Sequence, residues 1–257
     1  MPTVLELDEI KALLDTPQLI EEIEAGFVLY SEGRVNVPPV GFLHFDDPPG
    51  DVHIKYGFIS GGDYYVLKMA SGFYDNPVLD LPVADGVILV FSQKTGELKL
   101  ILLDKCWLTD MRTAAAGAVA AKHLAPKTVH HIGIVGTGVQ ARMQLEMLRT
   151  VVDCRSCYVW GRDATKVQGM LDDLRASESI QAWGLDVQAA ATLDDLVAGT
   201  WTDLSSLVPS GMTPYYLTVK RDKLYLAIFN HESPGSGDCI LQFTPINTPL
   251  TSEGISR

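Results

Sequence analysis

The sequence predicts an α/β protein in two parts, an N-terminal α+β part with an antiparallel sheet and a C-terminal part with a parallel sheet. The first part contains four apolar runs bounded by turn residues, a pattern typical of strands. After Pro126, strand-like and helix-like runs alternate, which indicates parallel strands joined by helical crossovers. We expect two domains, 1–112 and 113–257, with the parallel sheet incomplete at its C-terminal end.

The elements of the first part can be predicted in order. A short helix covers Asp8–Leu14, and Pro17 opens a longer one that stops at Gly33. The passage Val35–Pro49 is expected to be extended, because its paired prolines exclude helix. The strands that follow are Val52–Tyr56, Tyr64–Met69, Gly86–Ser92 and Leu98–Leu103.

An alanine-rich helix links the two parts. It is predicted to begin near Leu108 with Thr109 as its N-cap and to end before Pro126. The elements predicted after Gly161 are a helix over 163–176, a strand over 185–187, a helix over 193–196 and candidate strands over 204–210 and 224–229. The stretch 243–257 is expected to be loop or frayed tail.

A glycine-rich turn joins the first strand of the second part to a helix. His131–Val135 is followed by Gly136, Thr137, Gly138, Val139, Gln140 and Ala141, and then by a helical pattern. Gly136 permits the turn, Gly138 lets the backbone approach a pyrophosphate, and Ala141 allows close helix packing. The positive end of the helix dipole would face the phosphates. This context favours a Rossmann-type dinucleotide site over a simple turn.

The residues after the second strand bear on the choice of nucleotide. Ser156–Trp160 leads into Arg162, which lies 21 residues after Ala141. That separation is close to the spacing of about 20 residues expected for the ribose-recognising side chain. Arg162 favours the 2′-phosphate of NADP, whereas Asp163 is suited to the free hydroxyls of NAD. We therefore expect NAD(P) as cofactor, with a slight preference for NADP.

Three cations form the second functional signal. Lys55 and Lys68 lie on adjacent predicted strands, and Arg112 lies in the first turn of the linking helix. Lys68 falls inside an almost continuous apolar run, where an ammonium group is costly without an anion. One interpretation is a pocket for a substrate carboxylate. The other is that each lysine reaches solvent with its long side chain.

Composition narrows the classes of partner. A net charge of −12 argues against nucleic acid and anionic membranes as partners. The N-terminus has no basic segment followed by an apolar one, and the longest apolar runs are strand-sized, so neither export nor a membrane span is expected. These features favour a cytoplasmic protein.

The four cysteines do not indicate a disulfide framework or a metal site. They are spread along the chain, and Cys154-x-x-Cys157 runs into a strand instead of opening a helix, so packing is favoured over redox chemistry. A zinc site would need two more suitably spaced ligands. The pair His130–His131 is interpreted as an exposed strand end, and no metal is expected.

Three motifs resemble the ornithine cyclodeaminase/mu-crystallin family. They are KMASGFYxN from Lys68, LTDMRTAA from Leu108 and GTGVQA from Gly136, in that order. The resemblance is strong from about Val35 to Leu196 and weaker beyond. It implies a substrate-binding and dimerisation domain followed by a Rossmann NAD(P)-binding domain, with a homodimer formed through the first sheet.

The resemblance also implies roles for individual residues. Lys68 and Arg112 would hold the substrate carboxylate and activate its amine or imine end, while Thr113 and the glycine turn would hold the cofactor. The family's proton-handling aspartate corresponds here to Glu232, and the lysine after the next turn is replaced by Ser236.

Two further departures from the family pattern are visible. Val40 stands where many relatives have an arginine. The chain stops at Arg257, whereas the family's sheet continues and a C-terminal helical segment returns to the first domain, so a shortened or divergent member is expected.

By the resemblance, the leading reaction is the conversion of ornithine to proline with loss of ammonia. Ketimine or pyrroline-2-carboxylate reduction and amino-acid dehydrogenation are alternatives, each with a small amino or imino acid as substrate. An alternative of another class is a non-catalytic NADP(H)-binding protein, as some mu-crystallin relatives are.

Overall fold

The computed structural model describes residues 1–192 together with the backbone of strands 217–220 and 223–227. Two sheets, one in each part of the chain, are joined by a long helix. The elements of the first part are β1 (Thr3–Glu6), α1 (Leu7–Leu13), α2 (Thr16–Ser31), β2 (Val35–Asn36), β3 (Gly41–Asp46), β4 (Pro49–Ile59), β5 (Tyr64–Phe73), β6 (Ala84–Ser92) and β7 (Leu98–Leu103). Those that follow are α3 (Trp107–Leu124), β8 (Ile132–Val135), α4 (Val139–Leu148), β9 (Ser156–Trp160), α5 (Ala164–Ala176), α6 (Glu178–Trp183), β10 (Asp186–Ala189), β11 (Leu217–Lys220) and β12 (Lys223–Ala227).

The first sheet is antiparallel along β2, β4, β5, β6 and β7, as predicted, with β3 also paired to β4. Strand β1 was not predicted, and it pairs in parallel with β7, so that Val4 lies opposite Ile101. The sheet is therefore mixed. Strand β3 lies within the passage that was predicted only as extended, because its prolines flank the strand instead of interrupting it.

Helix α3 packs against both neighbouring helices through small side chains. Ala114, Ala115 and Ala118 are fully buried, which lets Ile20 of α2 and Met147 of α4 approach the helix closely. The predicted start of α3 is wrong in one respect. The helix begins at Trp107, so Thr109 lies inside the first turn and is not the N-cap.

The second sheet has the order β10-β9-β8-β12-β11, and all of its pairs are parallel except β11 with β12. Strand β12 corresponds to the predicted strand 224–229, whereas 193–196 and 204–210 lie outside the described residues. Helix α6 was not predicted. Together with the mixed first sheet, this arrangement confirms the α/β class with a Rossmann-type second part.

Cys154 and Cys157 of the second part are packing residues. Cys157 is completely buried in the core of the parallel sheet, and its burial raises the pKa of its thiol. Cys154 is also buried, and its thiol donates to the carbonyl of Ser156 at 3.3 Å. Both are free thiols, as expected. In the part of the chain that the structure describes, no helix has the length and apolar character needed to cross a bilayer.

Candidate active site

The glycine turn leaves an open space in front of the N-terminus of α4. Gly136 has a φ of 109°, in the range that favours glycine, and its N–H donates to the carbonyl of Trp160 at 2.8 Å. At Gly138, the N-cap position of α4, an added Cβ would meet nothing within 4 Å. The space beside the N-cap of α4 is therefore open, as an anion site at a helix N-terminus requires.

Arg142 holds the turn in place from within α4. Its Nη1 donates to the carbonyl of Thr137 at 2.7 Å, and its Nη2 pairs with Asp173 of α5 at 2.6 Å. The sequence prediction did not include this residue. An arginine in the first turn of a helix opposes the helix dipole, and that mismatch is the signal that points to a special role.

Arg162 and Asp163 lie beside the turn but differ in the contacts that their side chains make. An added Cβ at Gly161 would lie 3.2 Å from Thr137, so the end of β9 is packed against the turn. The Oδ1 atom of Asp163 accepts the N–H groups of Thr165 at 2.9 Å and Lys166 at 3.2 Å, capping α5. Arg162 is exposed and forms no ion pair with a described residue.

The three predicted cations are brought together on one face of the first sheet. Lys55 of β4 lies directly opposite Lys68 of β5 in the antiparallel register. The Nζ of Lys68 donates to the Oγ1 of Thr109 at 2.9 Å, which brings the first turn of α3 to the lysine pair. Arg112 lies one turn of helix further along α3, close enough for its charge to act on Lys68.

The environment of Lys68 disfavours an isolated positive charge. Burial lowers the pKa of Lys68 to about 8, and the charges of Arg112 and Lys55 contribute in the same direction. An anionic ligand placed among the three cations would offset this repulsion. We call the set of Lys55, Lys68 and Arg112 the cation cluster.

Two side chains assigned to the cofactor make contacts within the protein. Gln140 donates to the carboxylate of Asp110 at 2.9 Å and to its carbonyl at 3.2 Å, tying α4 to the first turn of α3. The hydroxyl of Thr113 donates to the carbonyl of Thr109 at 2.7 Å. The amide of Gln140 therefore joins the glycine turn to the helix that carries Arg112.

Glu232 and Ser236 lie outside the described residues, so the predicted catalytic carboxylate has no position here. Val40 lies just before β3. Within residues 1–192, no cluster of three or more metal-ligating side chains is found.

Comparisons with known proteins identify relatives of this chain. The model of the ornithine cyclodeaminase/mu-crystallin family matches residues 1–210. An uncharacterized cyclodeaminase of Sinorhizobium fredii is 36% identical over 208 residues, which cover 80% of this chain and 60% of the relative. A Δ1-pyrroline-2-carboxylate reductase of Bacillus thuringiensis is 27% identical over 163 residues, covering 63% of this chain and 50% of the relative.

A solved structure shares the fold. An archaeal alanine dehydrogenase dimer with bound NAD superposes with a TM-score of 0.68 at 25% identity, covering 76% of this chain and 57% of the other. The chain thus spans no more than about 60% of the length of these relatives. On the match over residues 1–210, the chain belongs to the ornithine cyclodeaminase/mu-crystallin family.

Proposed function

We propose that this protein is an NAD(P)-dependent oxidoreductase that acts on a small amino or cyclic imino acid. The observation that carries the proposal is the position of the first turn of α3. Thr109 of that turn binds Lys68 of the cation cluster, and Asp110 binds Gln140 of the glycine turn. One helical turn thus joins a carboxylate-binding set of cations to a nucleotide-binding motif.

The residues present fit a nicotinamide dinucleotide. Gly136 and Gly138 would admit the pyrophosphate to the N-terminus of α4, with Arg142 fixing the turn. When bound, the nicotinamide supplies or accepts a hydride at the substrate Cα. Lys68 and Arg112 would bind the substrate carboxylate and orient Cα, and we assign proton transfer at the substrate nitrogen to Glu232.

Two reactions fit this set of residues about equally. In a cyclodeaminase, ornithine becomes proline and ammonia with no net change of oxidation state, so the cofactor would be needed only in catalytic amounts. In a pyrroline-2-carboxylate reductase, or a dehydrogenase run toward the amino acid, NAD(P)H is consumed stoichiometrically. Relatives of each kind support both proposals.

Product analysis separates the reactions. The full chain is incubated with ornithine and catalytic NAD(P), and separately with 1-pyrroline-2-carboxylate and excess NAD(P)H. Proline and ammonia from the first mixture identify a cyclodeaminase, and loss of absorbance at 340 nm in the second identifies a reductase. Cofactor binding without turnover of any amino or imino acid would contradict an enzyme and support the non-catalytic alternative.

We further propose NADP(H) as the favoured cofactor, because Asp163 caps α5 with Oδ1 while Arg162 is exposed beside the turn. Replacing Arg162 with alanine is expected to weaken NADPH binding about tenfold or more, since a hydrogen bond to a charged group contributes about 1.5–3 kcal/mol. NADH binding should change by less than about twofold, because it lacks the 2′-phosphate. Fluorescence titration measures the affinities for NADPH and NADH. Arg149→Ala, at the far end of α4, is the control. An unchanged NADPH-to-NADH ratio would contradict the assignment.

We also propose a homodimer formed through the first sheet. On the face opposite the cation cluster, Leu43, Tyr56, Phe58 and Met69 are all exposed, although they are large and apolar. Apolar side chains exposed together on one face are typical of a protein interface. Sedimentation equilibrium is expected to give twice the chain mass of 28.0 kDa, and a single-chain mass at micromolar concentration would contradict the proposal.

A further inference from the structure

Asp104 has a buried carboxylate, and only one of its two oxygens accepts a hydrogen bond from a described residue. It follows β7 directly and is only 1% exposed. Its Oδ2 accepts the N–H of Leu108 at 3.0 Å, and its carbonyl accepts the N–H of Trp107 at 2.8 Å. Its Oδ1 is buried without a hydrogen-bond partner among the described residues. Burial of a carboxylate oxygen without a hydrogen bond costs folding free energy, so we expect Asp104 to have a role that offsets this cost.

The backbone that follows Asp104 is strained. Lys105 has a φ of 49° and Cys106 a φ of 64°, so two successive residues with side chains lie in the left-handed region. Cys106 occupies the N-cap position of α3 without a capping side-chain hydrogen bond. The carboxylate of Asp104 does the capping from two residues upstream, and the strained pair turns the first N–H groups of α3 toward it.

The capped turn is the one that joins the two halves of the site. It carries Thr109, which binds Lys68, and Asp110, which binds Gln140. Arg112 follows on the same helix. Movement of this turn would therefore displace part of the cation cluster relative to the glycine turn.

Asp104 is a carboxylate whose charge acts on Lys68 and opposes the effect of the two neighbouring cations. The charged groups that act on Lys68 are the cations Lys55 of β4 and Arg112 of α3 and the anion Asp104, beside the thiol of Cys106. Asp110 of α3 acts in turn on that thiol. Burial raises the pKa of Asp104, whereas the N–H of Leu108 and the ammonium of Lys68 act to lower it.

We infer that Asp104 is a positioning residue of the site, whose buried carboxylate fixes the first turn of α3 through the N–H of Leu108 and acts through that turn and through its charge on Lys68. Its consequence for catalysis rests on the proposed function. Its effect on Lys68 does not, because the protonation of this lysine is measurable without substrate.

The test measures the reactivity of Lys68 with acetic anhydride as a function of pH, quantified by mass spectrometry on the full chain. The wild-type midpoint is expected near pH 8. In Asp104→Asn, whose amide oxygen still accepts the N–H of Leu108, the midpoint should fall by about one pH unit, because an opposite charge has been removed. Asp104→Ala should show the same fall and a larger loss in melting temperature, since it lacks the cap as well.

Asp15→Asn is the matched control. Asp15 caps α2 by accepting the N–H of Gln18 at 2.9 Å, away from Lys68, so the midpoint should stay at its wild-type value. A wild-type midpoint in folded Asp104→Asn would overturn the inference. If that variant does not fold, Asp104→Glu keeps the charge on a longer arm and should keep the midpoint within about half a pH unit. A fall there would overturn the charge role.

The same variants separate this inference from the proposed function. If the protein proves to be an enzyme, the alkaline limb of kcat/KM should shift down with the Lys68 midpoint in Asp104→Asn. If no substrate is turned over, the labelling midpoints still decide the role of Asp104.

Discussion

Replacing Lys68 with methionine is expected to lower kcat/KM at least about 100-fold and to leave NAD(P)H affinity within about threefold of wild type. The reason is that Lys68 lies in the cation cluster and not at the glycine turn, and a charge-assisted contact to a developing charge contributes about 3 kcal/mol or more. Methionine fills similar space without a charge, so the fold is retained. Steady-state kinetics and fluorescence titration measure the two effects.

Lys99→Met is the control, because Lys99 is an exposed lysine of the same sheet that pairs with Glu97. It should keep wild-type kinetics. Equal losses of turnover and cofactor affinity in Lys68→Met would instead indicate a general structural role for Lys68.

The pH dependence follows from the same residue. Because the pKa of Lys68 is lowered to about 8, its amine is protonated below this pH and neutral above it. A neutral amine cannot pair with a carboxylate, so kcat/KM for a carboxylate substrate is expected to fall as the pH rises through about 8. A profile that stays flat to pH 10 would contradict a role for charged Lys68 in substrate binding.

Replacing Gly138 with aspartate is expected to weaken NAD(P)H binding at least about 100-fold without unfolding the protein. A Cβ added at Gly138 would meet no atom within 4 Å, and the φ of −80° suits any residue. Aspartate is also a favoured N-cap, so the melting temperature should not fall. Its carboxylate would occupy the space that the pyrophosphate needs and would repel it.

Gly169→Asp is the matched control, since Gly169 also has open space around it but lies on α5 away from the turn. This variant should bind cofactor as the wild type does. Unchanged affinity in Gly138→Asp would show that the phosphates do not lie at the N-terminus of α4.

The sequence predicted the site best where local patterns decide the structure. Strand, turn and helix around Gly136 follow from apolar runs and glycine spacing, and the structure has all three. The placement of Lys55 and Lys68 on adjacent strands was also predicted. That the two lysines lie directly opposite each other depends on the register of β4 and β5, which is set by the length of the connection from Ile59 to Tyr64.

Other features depend on long-range contacts that no local pattern reveals. Thr109 has the chemistry of an N-cap, but Asp104 takes that role because the chain turns back through Lys105 and Cys106. Strand β1 is only four residues long, and it exists because Val4 can pair with the edge of β7. The ion pair of Arg142 requires the separate helix that carries Asp173.

In the proposed site, the nucleotide and the carboxylate substrate meet across the first turn of α3. Deuterium transfer from the cofactor to the substrate tests this arrangement. The full chain is given NAD(P)H deuterated at both C4 positions of the nicotinamide, together with 1-pyrroline-2-carboxylate, and the product is analysed by mass spectrometry and NMR. We predict proline carrying one deuterium at Cα. Proline without deuterium, or no product from this or any other imino acid despite bound cofactor, would contradict the proposed site.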